Sequence, residues 1–451
     1  MNTADYLVSG GADDAVAVLD ADGPHTYSEL RRAVAGMVLA LDGLPARARV
    51  GIVGPNSFGW VVGYLASLSA GAVAVPVPQA VPPDAVADRL AQVHASAVVL
   101  GRREERRIGG RLPSGMRRVV GVPEGDDLAA GVSVAEDDDA VYLFTSGTTG
   151  SPRVVRVTHA NIQANTDSIL SYLGLTAADR ILVVPPFSYA FGASLLHTHL
   201  RVGATLVIQP DAAFPQSIVD RLRTERCTGF AGVPSTFHLL LRSSAFGQTP
   251  LPDLRTIQQA GGKLARPLLD ELVQAQPQAR VFVMYGQTEA TARLSYLPPQ
   301  ELTRHPGSIG IPGVELRVVT PDGDPVRPGQ VGEIWARGRN ISPGYLDDPE
   351  ATQRKMPGGV LRTGDLAEVD EEGYIVDRQE DFIKPWGIRV GSQEVESAAI
   401  QLTEDVVLGH CRTRLEKHAV PSRVHFVERL PLNGKVVKAA LRELCLGASR
   451  S

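Results

Sequence analysis

Short apolar runs alternate along the chain with stretches in which apolar residues recur at helical spacing. Ala48–Val53 predicts a strand and Phe58–Ala70 the helix that follows it. Ala72–Val77 predicts the next strand, and Ser96–Leu100 another beyond a helical stretch. Ile181–Val184, Ala204–Ile208 and Arg280–Met284 repeat the theme. Strands that are apolar at nearly every position have to be covered on both faces, so they point to largely parallel α/β layers. From Gly307 to Asp370 the pattern changes: Gly and Pro are frequent, and short alternating segments such as Glu315–Val319 predict a compact β-rich subregion. The polar stretch Asp377–Asp381 follows a strand-like Gly373–Val376 and reads as a linker. The expected architecture is α/β. A large N-terminal domain, 1–377, would hold layered α/β sheets plus a β-rich subdomain, and a small α+β C-terminal domain would span 378–451. The arginine-rich Arg102–Arg107 reads as a solvated turn.

Composition narrows the class. The 451 residues are 43% hydrophobic and 21% charged, a globular mix that excludes disorder over most of the chain. A net charge of −5 lacks the basic face that gripping a nucleic-acid backbone requires. Cys227, Cys411 and Cys445 lie far apart with no CxxC spacing, so neither a zinc site nor a disulfide framework is implied. Met1–Gly11 has no basic stretch followed by an apolar one, and the apolar run Trp60–Val77 is broken by Gly63, Ser67, Ser69, Gly71 and Pro76. The expectation is a soluble cytoplasmic protein with no membrane span and no nucleic-acid partner.

The most informative segment is Tyr142–Arg153, in which a strand leads into Thr145-Ser146-Gly147-Thr148-Thr149-Gly150. Small residues let backbone N–H groups converge on an anion, the hydroxyls add donors, and Arg153 adds a fixed positive charge. That is a phosphate-cradling composition, although the Lys-Ser/Thr ending of a Walker A loop is absent.

This segment resembles the signature loop of the adenylate-forming superfamily: acyl-CoA synthetases, aryl-acid ligases and the adenylation domains of nonribosomal peptide synthetases. Further segments similar to that family's motifs follow in order. They are Tyr285-Gly286-Gln287-Thr288-Glu289, Gly332–Ile334 through Gly344-Tyr345, Leu361–Asp365, Asp377-Arg378 through Ile383–Gly387, and Leu430–Lys435. Thr26–Leu30 and Gly54–Ser57 fit as well, so the resemblance spans nearly the whole chain.

The resemblance implies a reaction in which a carboxylate attacks the α-phosphorus of ATP, giving an acyl-adenylate and pyrophosphate. It places Glu289 and Thr148 on Mg²⁺, Tyr285 against adenine with Gly286 beside it, and Thr288 at the α-phosphate. Asp365 and Arg378 would hold the ribose. Thr145 through Gly150 and Arg153 would hold the phosphates. Lys435 would bridge carboxylate and phosphate in the transition state. Family members then rotate the C-terminal lobe to admit a thiol, and Lys384 lies on the segment that would swing in, with a hinge near Gln379-Glu380. The thiol would belong to coenzyme A or to a phosphopantetheine carrier protein.

Three departures from the family pattern stand out. Arg153 replaces the usual Lys and Val154 the usual Gly. Pro186–Gly192 lacks the gating His, with Tyr189 nearest its position. About 40 residues separate Val390–Glu396 from Lys435, fewer than the family carries. What remains there is a helical stretch, Asp405–His418, and a strand-like Arg423–Val427. Adenylation needs Lys435 alone from this lobe, whereas the lost strands normally help meet the thiol donor. Three readings therefore stand: an acid–thiol ligase, an enzyme that passes its adenylate to an amine or other nitrogen nucleophile, and a non-catalytic nucleotide-binding relative. The acid pocket would be lined by Tyr189, Phe191, Gly192, Phe237, Gly261, Gly262 and Lys263. The aromatic residues among these suit an aryl or short acyl acid, and Ser188-Tyr189-Ala190 lacks the Asp that would pair with an α-ammonium. Lys263 reads equally as a partner for a second polar group on the acid or as a surface lysine.

Overall fold

A computed structural model describes residues 1–126, 130–145, 152–209, 214–262, 264, 266–305, 309–310 and 313–379, with 408–409, 411–412 and 420–421. The expected apolar runs are strands. Val73–Val77, Ala97–Leu100, Thr205–Ile208, Gly229–Gly232 and Thr256–Gln259 are buried at every position, as strands packed on both faces must be.

Two large sheets result. A seven-stranded sheet pairs Arg49–Val53 with Val73–Val77 and Ala97–Leu100 in parallel, and carries Asp139–Thr145 and Arg153–Thr158 as an antiparallel pair toward one edge. A nine-stranded sheet runs parallel through Arg280–Tyr285, Thr256–Gln259, Gly229–Gly232, Arg180–Val183, Thr205–Ile208 and Val16–Leu19. In the third sheet four antiparallel strands cover Val314–Val319, Val331–Gly338, Leu361–Val369 and Ile375–Gln379. Leu361–Ala367 alternates buried and exposed, the period of a sheet with one wet face. A single hydrophobic cluster joins the two large sheets and this third one, from Leu30 and Leu65 through Leu206 to Ile334 and Leu361.

Helix ends are set by local chemistry. Thr26 and Glu29 form a capping box at the start of Tyr27–Leu41, and Thr158 with Asn161 does the same for His159–Leu173. Gly174, at φ 65°, stops the latter in the left-handed region.

Two expectations are corrected. Arg102–Arg107 is not a turn but most of a helix, Arg102–Ile108. Glu104 and Glu105 sit in its first turn and Arg106 and Arg107 in its last, the ends of the helix dipole that favour them, while Arg102 and Arg103 precede them at its start. The break expected at Asp377 falls inside a strand, because Ile375–Gln379 pairs with Leu366–Val369. Of the expected helix Asp405–His418, the described residues Leu408, Gly409, Cys411 and Arg412 are helical, and the expected strand Arg423–Val427 lies outside the described residues. Among the described residues no helix is long and apolar enough to cross a membrane.

The helices that close the core bury three imidazoles. His197 Nε2 lies 2.7 Å from the Tyr64 hydroxyl, and burial pushes its pKa down to about 3. His199 lies 2.8 Å from the Leu195 carbonyl, and burial pushes it down to about 4. His159, beside the Thr3 hydroxyl, is also pushed down to about 4, first by burial and then by the Met1 ammonium. In the unfolded chain all three take up protons near pH 6.5, so below that pH the unfolded state binds more protons than the native one. Thermal midpoints should therefore be level above about pH 6.5 and fall steadily as the pH drops toward about 4. His197→Asn should make the fall shallower. A midpoint constant from about pH 7 to 5 would contradict these buried neutral imidazoles.

Candidate active site

In open α/β sheets ligands bind beyond the carboxyl ends of the strands. Here those ends carry Thr145, the Pro185–Tyr189 turn, Ala260–Gly262 and Tyr285-Gly286. Strand Asp139–Thr145 enters the Thr/Ser/Gly loop, and Arg153 opens the return strand directly opposite Thr145. The Thr145 hydroxyl lies 3.5 Å from the Arg153 carbonyl.

Arg153 is held from the side. Its Nε lies 3.7 Å from Asp348 Oδ2, and its guanidinium sits 5.4 Å from the centre of the Tyr345 ring. Tyr345 reaches this place because Gly344-Tyr345 pairs with Val155 and Arg156 on the edge of the seven-stranded sheet. Gly344, at φ 143°, packs where a Cβ would stand 2.4 Å from Thr352 Cγ2. The buried Tyr345 hydroxyl donates to Glu289 Oε1 at 2.7 Å. Burial raises its pKa, and the adjacent Glu289 carboxylate raises it further, so the phenol stays a donor.

Glu289 sits in the single turn Thr288–Ala290, within a loop that doubles back on itself. Leu294 N–H donates to the Tyr285 carbonyl at 2.9 Å, and Thr291 takes a positive φ of 66°. A Cβ on Gly286 would stand 1.8 Å from the Ala292 carbonyl oxygen, so only glycine admits this approach. Asn340 fastens the loop, donating through Nδ2 to the carbonyls of Ala290 and Arg293 at 3.2 and 3.1 Å. Ser342 N–H donates to the Glu289 carbonyl at 2.9 Å.

Ahead of the loop, the Tyr285 hydroxyl donates to Asp365 Oδ2 at 2.6 Å. Asp365 and Thr363 take the buried positions of their strand, and the Thr363 hydroxyl accepts from the Asp365 N–H at 3.1 Å. Gly364 between them has φ 76° and donates its N–H to Glu333 Oε1 at 2.9 Å. Arg378 stands opposite Ala367 on the neighbouring strand.

The structure thus brings Thr145, Arg153, Tyr285, Gly286, Thr288, Glu289 and Asp365 into one linked region, although they are spread over more than 200 residues. Ser146, Gly147, Thr148, Thr149, Gly150, Lys263, Lys384 and Lys435 lie outside the described residues. Of the expected acid-pocket residues, Tyr189 and Phe191 are half-buried at the start of helix Ala190–Arg201. Gly192 serves a close approach, since a Cβ there would meet the Pro186 carbonyl at 2.0 Å. Gly261 is exposed, with φ 83°, and the Gly262 carbonyl accepts from Gln259 Nε2 at 2.8 Å. Phe237 is fully buried, edge-on to Phe230 at 5.7 Å, inside a core of Leu240, Phe246 and Ile257.

Residue-by-residue reading had not singled out Tyr345 as a contact of Glu289, nor Asp348, Gln258 and Arg293. Their one visible signal is Arg293 itself, a lone charge in the run Ala292-Arg293-Leu294-Ser295 whose neighbours are all buried. Among the described residues both buried amide atoms of Gln287 lack a hydrogen-bond partner, which calls for an explanation such as a bound group or water.

Known proteins resemble this chain in sequence and fold. The family model described as AMP-binding enzyme matches residues 8–346. A feruloyl-CoA synthase from an Amycolatopsis species is 30% identical over 465 residues, covering 92% of this chain and 93% of that protein. Among solved structures, an amide bond synthetase from Marinactinospora thermotolerans superposes with a TM-score of 0.88 at 25% identity, covering 98% of this chain and 99% of the other. An o-succinylbenzoate CoA synthetase from Bacillus subtilis superposes with a TM-score of 0.86 at 22% identity, covering 98% of each chain.

The close approach at Gly286 gives a direct check. Gly286→Ala should lower stability by about 1–3 kcal/mol in chemical denaturation, the usual cost of overpacking. Gly247→Ala, whose new Cβ would meet nothing nearer than 3.8 Å, should stay within about 0.5 kcal/mol of the parent. An unchanged Gly286→Ala midpoint would contradict the doubled-back loop.

Proposed function

Because the chain belongs to the AMP-binding enzymes, the adenylate-forming superfamily its motifs resemble, we propose that it joins a carboxylic acid to AMP and then transfers the acyl group to a pantetheine thiol. The observation that carries this reading is the chain of contacts Arg153–Tyr345–Glu289, which ties the cation at the phosphate loop to the carboxylate expected to hold a metal.

Two anions must meet for the first step, so the site has to supply positive charge and fixed donors. Arg153, together with the hydroxyls and N–H groups of Thr145–Gly150, would hold the phosphates. Thr288 would contact the α-phosphate. Tyr285 offers its ring to the adenine. Asp365, oriented by Tyr285 and Thr363, accepts from the ribose hydroxyls, with Arg378 beside it. Lys435 would arrive from the C-terminal lobe, 378–451, to bridge the attacking carboxylate and the α-phosphorus. Glu289 suits Mg²⁺: it is a hard oxygen donor, and Tyr345 fixes the direction of one of its oxygens. With Thr148 it would hold that ion, which neutralises phosphate charge when bound. Tyr189 and Phe191 line the acid side with Gly192, Gly261 and Gly262, and the aromatic rings suit an aryl or short acyl acid.

Coenzyme A is the favoured thiol, since the feruloyl-CoA synthase covers nearly the whole chain. A carrier protein is the other pantetheine source, and Lys384 would serve this second step. A second reading has its own support. The amide bond synthetase that superposes over 98% of this chain forms a bond other than a thioester, and in this second reading an amine takes the thiol's place as acceptor. The enzyme is expected to work in the cytoplasm.

The test is pyrophosphate release over a panel of carboxylic acids, with coenzyme A, with amines and with neither. Acid-dependent release that yields an acyl-CoA supports the thioester reading. Release followed by amide alone supports the second reading. Lys435→Ala should reduce acid-dependent ATP–pyrophosphate exchange by about two orders of magnitude or more. Unchanged exchange would remove Lys435 from the first step.

A further inference from the structure

Arg293 is among the largest fully buried side chains of the protein. Every described partner of its guanidinium is neutral. One terminal nitrogen, Nη1, donates to the Tyr172 hydroxyl at 3.3 Å and lies against the Met284 sulfur. The other, Nη2, donates to the Ser194 hydroxyl at 3.3 Å and to Gln258 Oε1 at 3.0 Å. The Phe191 ring faces the guanidinium at 5.4 Å. Among the described residues no carboxylate forms an ion pair with it. A guanidinium buried among neutral groups is costly to leave without a counter-charge.

Two donors at the guanidinium are left over: Arg293 Nε and Gln258 Nε2 are both buried, and among the described residues neither has a partner. Both are donors, so the missing group accepts hydrogen bonds, and the lone guanidinium calls for that group to be negative.

The position is equally specific. Arg293 lies on the doubled-back loop, where its Cα would be 2.7 Å from a Cβ on Gly286. Phe191 and Ser194 lie in the first turns of helix Ala190–Arg201, and Gln258 ends two residues before Ala260–Gly262. The helix start and the Ala260–Gly262 turn are elements assigned to the acid, and the loop beside them carries the groups assigned to the nucleotide. The Phe191 ring adds flat apolar surface against the guanidinium.

We propose that Arg293, assisted by Gln258, selects acids that carry a second carboxylate, which pairs with the guanidinium while the first carboxylate is activated. This rests on the acid-activating reading above. A site whose buried donors are built for an acceptor rejects ligands that lack it, because those donors are then left unpaired.

The experiment compares matched acids that differ by one carboxylate, such as benzoate with the benzenedicarboxylates and hexanoate with adipate, by pyrophosphate release. In the parent enzyme at least one diacid should exceed its monoacid in kcat/KM by about tenfold or more. This measurement needs no variant. Arg293→Met should collapse that diacid-to-monoacid ratio through the KM of the diacid, with the KM of ATP held. Arg293→Lys, which keeps the charge but loses the fork, should retain an intermediate ratio. Three results would overturn the inference. The first is a parent that prefers the monoacid in every pair. The second is an Arg293→Met variant that depresses both members of each pair equally, the mark of a purely structural arginine. The third is no pyrophosphate release with any acid, where the acid-activating reading fails first and the inference with it.

Discussion

One backbone hydrogen bond, from Leu294 N–H to the Tyr285 carbonyl, closes the loop on which the site depends. Closing it in so few residues presses Gly286 against the Ala292 carbonyl and forces Thr291 to a positive φ. The return then aims three side chains in three directions. Tyr285 reaches Asp365 on the antiparallel sheet. Glu289 reaches Tyr345 on the edge of the seven-stranded sheet. Arg293 reaches the helix that starts at Ala190. Asn340 and Ser342 fasten the loop from outside, so its shape does not rest on its own strain alone.

The distribution of charge follows from that geometry. On one side Arg153, Asp348, Tyr345 and Glu289 form a line of alternating cation, carboxylate, phenol and carboxylate, partly open to solvent. Such a line suits polyphosphate and its counterion, which bring large charges of both signs. Asp365 stands apart, buried and supplied with donors from Tyr285 and its own N–H, as a carboxylate that accepts neutral hydroxyls has to be. On the far side Arg293 is a cation among neutral groups. Positive charge thus stands at two places around one doubled-back loop, Arg153 across Tyr345 from Glu289 and Arg293 near its end, and a reaction between two anions calls for such charge.

The fold was largely legible in the sequence because strands buried on both faces announce themselves as unbroken apolar runs, and Val73–Val77 or Thr205–Ile208 left little choice. Arg102–Ile108 was not, because its charges look solvated in one dimension, and Glu104–Arg107 match the helix dipole only once wound. Tyr285, Glu289 and Asp365 were legible through motifs, each a local cluster whose composition marks its chemistry. Tyr345 on Glu289 was hidden for the opposite reason: 56 residues separate the partners, and only the two-residue pairing of Gly344-Tyr345 with Val155 and Arg156 brings them together. Arg293 was hidden too, since an arginine between alanine and leucine near an edge strand reads as a surface residue until the loop closes over it.

The central claim is that a bond forms between a carboxylate oxygen and the α-phosphorus of ATP. Supplying an activated acid labelled with ¹⁸O in both carboxylate oxygens, together with ATP and a thiol or amine acceptor, follows that bond directly by mass spectrometry of the nucleotide product. The account predicts AMP carrying a single ¹⁸O in its phosphate. Unlabelled AMP, or ADP with the label in inorganic phosphate, would contradict it.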